Sequence, residues 1–73
     1  MYNGHKNWNH WNVSLWLFND ERYYNWMRWC VKTTTTLDKA ARKMIDMLDD
    51  THTPDGAPYS YTSIRAALVG WDQ

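Results

Sequence analysis

Apolar positions recur at helical spacing in four separate blocks of the chain, with polar stretches between them. In the first block Trp8, Trp11, Leu15 and Phe18 fall at i, i+3, i+7 and i+10, the spacing of one helix face. Val13, Trp16 and Leu17 lie on the other side. A helix apolar on more than one face is either buried centrally or shared with a partner. A strand fails on period, because Leu15, Trp16, Leu17 and Phe18 are contiguous rather than alternating. The expected inward face is Trp11, Leu15 and Phe18. Val13, Trp16 and Leu17 then need cover from the fourth helix or from a partner.

Asn19-Asp20 interrupts the pattern. Asn19 is the expected N-cap of a second helix over about residues 20–32, with Asp20 and Glu21 in the first turn, where the helix dipole favours anions. Tyr23, Trp26, Met27, Cys30 and Val31 make its inward stripe, Arg22, Asn25, Arg28 and Lys32 lie off it, and Tyr24 and Trp29 fall partly outside. Four threonines at 33–36 are poor helix material and read as a connector, with Thr36 or Thr35 capping the third helix. That helix carries Leu37, Ala41, Met44, Ile45 and Leu48 on one stripe and charge opposite, with Asp38–Arg42 and Lys43–Asp46 as surface pairs. Residues 50–59, DTHTPDGAPY, read as a loop around a Pro-Asp-Gly turn. Ser60 caps a last helix with Tyr61, Ile64 and Leu68 inward, Gly70 as its stop and Trp71 packing back. The expectation is an all-α, compact single domain, residues 1–73, of about four short helices.

Composition sharpens this. A chain of 73 residues buries only roughly 60% of its unfolded surface and needs a staple, a partner or large core residues. One cysteine, Cys30, rules out an internal disulfide, so six Trp, five Tyr and one Phe are expected to supply the burial. Formal net charge is zero, with a +2 balance over residues 1–36 and −2 over 37–73. A dedicated nucleic-acid domain is usually clearly basic. No stretch reads as a signal peptide or a membrane span, and a free cysteine fits a reducing cytoplasm.

Two segments carry a resemblance. NGHKNWNHWNVSLWLFNDE, residues 3–21, resembles an N-terminal motif of small proteins encoded by bacteriophages and other mobile elements, approximately N-G-x-K-N-Y-E-T-W-N-V-x-L-W-I-x-N-D-E. TPDG, residues 53–56, resembles their later turn. Trp8, Asn9 and His10 stand where that pattern has Tyr, Glu and Thr. The resemblance implies a small helical protein of phage or mobile-element origin, from a family without an assigned activity. Small accessory proteins of that kind often bind a host protein, defence systems included.

The candidate chemistry is sparse. His5, His10 and His52, with Asp50 and Asp55 near the last, lack metal-ligand spacing, so no metal and no cofactor is expected. Cys30 falls on a buried stripe, Asp46, Asp49 and Asp50 on a solvated helix end, and no Gly-rich phosphate loop exists, so the chain is not read as an enzyme. Trp and Tyr interleaved with Arg22, Arg28 and Lys32 permit single-stranded nucleic-acid binding as the second reading. The first reading is protein binding, to a host protein or to a second copy as a homodimer. Its candidate residues are Trp16, Tyr24, Arg28 and Trp29, with Trp8 at the edge.

Overall fold

The computed structural model describes residues 6–71, without the side chains at 70 and 71. Four helices come in order: α1 (Trp8–Asn19), α2 (Glu21–Thr33), α3 (Leu37–Met47) and α4 (Tyr61–Trp71). Each helix packs on two others, α1 against α2 and α4, and α3 likewise against α2 and α4. The result measures 30 × 25 × 19 Å, and no strand forms among the described residues.

Polar caps start every helix. Asn7 accepts from the His10 N–H, Asp20 from the N–H groups of Arg22 and Tyr23, and Thr36 from that of Lys39. Ser60 and Ser63 cap reciprocally: each backbone N–H donates to the other's Oγ, at 3.0 and 3.2 Å. Such caps each contribute about 1 kcal/mol. The second cap is one residue later than expected. Asn19 closes α1, and Asp20 serves both helices, donating its N–H to the Trp16 carbonyl while its carboxylate takes two N–H groups of α2. A carboxylate is the better acceptor at the positive end of a helix.

Thr34, Thr35 and Thr36 are the connector the composition predicts, while Thr33 is still the last residue of α2. Thr33 and Thr34 donate their hydroxyls to the Trp29 and Cys30 carbonyls at the end of α2, before Thr36 caps α3. The helix-surface pairs differ from expectation. Asp38 bonds Arg65 and Tyr61 of α4, so its charge ties two helices rather than two turns of one. Lys43 turns to α2 instead of Asp46, its ammonium 2.9 Å from the Thr33 hydroxyl. At the far end α4 runs through Gly70, because glycine permits a helix to stop but does not force it. The packing expected of Trp71 lies outside the described side chains.

Val13, Leu17, Met27, Cys30, Ala40, Ala41, Met44, Ala57, Ile64 and Leu68 are fully buried. On α1 this reverses the expected face: Val13 and Leu17, four apart, point inward beside buried Asn12 and Ser14, while Trp11, Leu15 and Phe18 are half-buried. Buried alanines at 40, 41, 57 and 67 make the centre one of small and aliphatic side chains, and the bulky Trp11 and Phe18 stay at its flank, whereas Leu15, the same side chain as Leu17, is set apart only by its place on the helix. None of the five tryptophans with described side chains is fully buried. The aromatics supply burial from the flank, Phe18, Tyr24, Trp26, Tyr59 and Tyr61 packing against the aliphatic centre.

Candidate docking face

Two polar arrangements stand apart from this core. The first joins the loop to α1. Residues 51–59 fold back as a small hairpin: the Gly56 N–H closes a turn onto the Thr53 carbonyl at 2.9 Å, and Gly56 takes φ +97°, which L side chains rarely adopt. Thr53 N–H meets the Ala57 carbonyl, Tyr59 N–H meets the Thr51 carbonyl, and His52 and Pro58 form an isolated antiparallel bridge. The turn presents Asp55 to α1. One carboxylate oxygen accepts from the Asn12 amide at 2.8 Å and from the Trp16 indole N–H at 3.0 Å. Asn12 also accepts from the buried Thr53 hydroxyl, whose oxygen receives the Ala57 N–H. The hydrogen bonds from Asn12, and then from Trp16, hold the Asp55 pKa below its ordinary value. The two segments that carry the resemblance meet here.

The second arrangement is on the outer face of α2. Asn25, Arg28, Trp29 and Lys32 lie at i, i+3, i+4 and i+7 and line a shallow groove of about 220 Å³. Trp29 is 48% exposed, the most exposed large apolar side chain described. Lys43 reaches across from α3 and sets its ammonium 3.8 Å from the Trp29 ring centre. Arg28 and Lys32 are exposed, and neither has a carboxylate partner among the described residues.

The structure divides the five expected binding residues. Arg28 and Trp29 come together in the groove. Tyr24 is half-buried against the core, its ring 6.5 Å from that of Phe18. Trp16 is half-buried, with its N–H engaged by Asp55. Trp8 is 37% exposed at the start of α1 and does not line the groove. Lys43 is an addition to the expected residues, since its place over Trp29 depends on how α3 packs against α2. Asn12, Thr53 and Asp55 are additions as well, although an asparagine amid an apolar helix pattern is a signal for a buried polar contact.

Burial pushes the Cys30 thiol up, against a smaller opposing effect of Lys43, a direction that disfavours the thiolate a nucleophile needs. Tyr59 is pushed up to about 12, chiefly by burial and then by its neighbours Tyr23 and Asp50. Its hydroxyl has no hydrogen-bond partner among the described residues, although Tyr23 stacks edge-on at 6.1 Å. His52 bonds Thr51, Asp50 accepts from Tyr23, and Asp55 faces α1; His5 lies outside the described residues. No group of three or more metal-ligating side chains is gathered among the described residues. Arg22 stacks on Tyr23 and Trp26, at 4.8 and 5.2 Å from their ring centres. No described helix is long and apolar enough to cross a membrane.

Compared with known proteins, residues 1–70 match the model of a family of unknown function. No curated protein and no solved structure matches the chain.

Proposed function

The chain belongs to that family, DUF7249, and we propose that it is a small non-catalytic accessory protein, of phage or mobile-element type, that binds another protein through the Arg28–Trp29 groove. The target on this reading is a host protein, a defence enzyme among the candidates, met in the host cytoplasm. One observation carries it: the least covered of the described tryptophans and an arginine with no carboxylate partner among the described residues share a groove on the outer face of a helix whose other face buries Tyr23, Met27 and Cys30. Trp and Arg are the side chains that most often dominate binding energy at interfaces.

A capture experiment tests it. Immobilised protein should retain the same partner from bacterial lysate before and after nuclease treatment. Trp29→Ala should weaken retention roughly tenfold or more, the loss typical of an interface anchor, while far-UV circular dichroism and melting temperature stay the same. Loss of every partner on nuclease treatment would favour single-strand nucleic-acid binding instead. That second reading draws on Trp29 standing among Arg28, Lys32 and Lys43, a stacking surface with cations beside it. Against it, Lys43 occupies one indole face and the formal net charge is zero. Absence of any partner, with a monomeric mass in solution, would overturn the docking reading in both its host-protein and homodimer forms.

A further inference from the structure

We infer that the occupant of the Arg28–Trp29 groove is an acidic protein segment, one that brings two carboxylates about 6 Å apart and an apolar side chain beside them. The inference rests on the docking reading and adds the chemistry of the partner. Arg28 and Lys32 are four residues apart on one helix face, so their attachment points are separated by about 6 Å along the axis. Residues i and i+4 of a partner helix, or i and i+2 of an extended segment, present two carboxylates at nearly that interval. Trp29 lies beside this cationic pair with one indole face under Lys43 and about half of its surface, 48%, left for an apolar contact.

The groove is cationic in a chain of zero formal net charge because no carboxylate lines it, and four of the eight acidic residues are engaged elsewhere. Asp20 caps α2, Asp38 pairs with Arg65, Asp50 accepts from Tyr23, and Asp55 accepts from Asn12 and Trp16. None of the residues lining the groove is acidic, and Arg28 and Lys32 keep exposed charges with no internal partner among the described residues. A protein surface with matching negative charge would be steered to this face and held in register there.

The test tracks the Trp29 indole N–H signal by NMR, assigned through its absence in Trp29→Phe. Three probes are added in turn: a short peptide alternating glutamate with leucine, the same peptide with glutamine for glutamate, and a short oligothymidylate. The glutamate peptide should shift the signal at low salt. The shift should shrink several-fold by about 0.5 M salt, where exposed charges are screened within a few ångströms. Arg28→Glu with Lys32→Glu, both on exposed positions, should abolish it while the remaining indole signals stay in place. An equal shift with the glutamine peptide would overturn the acidic partner and leave apolar docking intact. No shift with either peptide, beside a partner captured from lysate through Trp29, would also overturn the acidic chemistry alone. A larger shift with oligothymidylate would overturn it in favour of nucleic acid. Silence from all three probes together with no captured partner would remove the docking reading itself.

Discussion

A buried amide has to be matched at both its oxygen and its nitrogen, or it costs more than the apolar side chain it displaces. Asn12 is matched at both, by Thr53 and by Asp55, across 41 and 43 residues of chain. It therefore specifies where the loop must sit, with Trp16 adding a second bond from α1 to the same Asp55 oxygen. Leu17→Ala should cost about 2–5 kcal/mol in urea unfolding, because Leu17 is fully buried, and Leu15→Ala should cost distinctly less, because Leu15 keeps part of its surface in water. Equal losses would mean that both sides of α1 are core. Trp16→Phe should raise the Asp55 pKa towards its ordinary 3.8, read by NMR titration of the carboxyl, since one of its two donors is gone. A carboxyl whose pKa is lowered in the folded chain adds stability that is complete above 3.8 and lost as the pH falls through the lowered value. Trp16→Phe should therefore lower stability in the neutral region, where that contribution is complete, and flatten the acid limb, where it is already lost. At the opposite extreme the raised Cys30 thiol and Tyr59 phenol add stability that is complete below their ordinary values, 9.0 and 10.0, and erodes as the pH climbs towards the raised ones.

Elements are far easier to read from the sequence than faces. The four helices, the threonine connector and the Pro-Asp-Gly turn come from periodicity and capping chemistry, which are local. On α2 one stripe is clearly more apolar than the rest, and Tyr23, Met27 and Cys30 are indeed its buried members. On α1 both sides are apolar, so spacing alone cannot choose between them. The choice falls to packing: the alanine-lined centre accepts Val13 and Leu17 and turns the larger Trp11 and Phe18 to the flank. Of the candidate site, Arg28 and Trp29 are legible because they fall off the α2 stripe, whereas Lys43 joins them only through the α2–α3 crossing. The junction of α1 and α2 gives a prediction of its own. One residue, Asp20, starts α2 with its side chain and closes α1 with its N–H. Asp20→Ala should lower stability by about 1–2 kcal/mol in thermal or urea unfolding, and Asp20→Asn should recover most of that, since an amide oxygen still caps. If Asp20→Asn loses as much as Asp20→Ala, the carboxylate charge rather than the cap is what matters.

At the scale of the whole molecule, the helix pairs are not all sequential. α1 and α2 adjoin, as do α2 and α3, but α1 also packs along α4, the last helix, and its Asn12 is hydrogen-bonded to the turn before it. Amide hydrogen exchange should report this as one cooperative unit: Val13 and Leu17 should exchange together with Ile64 and Leu68, through the same global opening. Faster exchange in α1 alone would show that the α1–α4 contact opens by itself. The pairing also orders events during synthesis. The helical hairpin of α1 and α2 is synthesised before α4, so Val13 and Leu17 precede the cover that α4 gives them and Asn12 precedes its partners Thr53 and Asp55. Folding waits for Asp55 and then for Ile64 and Leu68, so a nascent chain halted before residue 55 exposes the apolar side of α1 to chaperones and proteases alike.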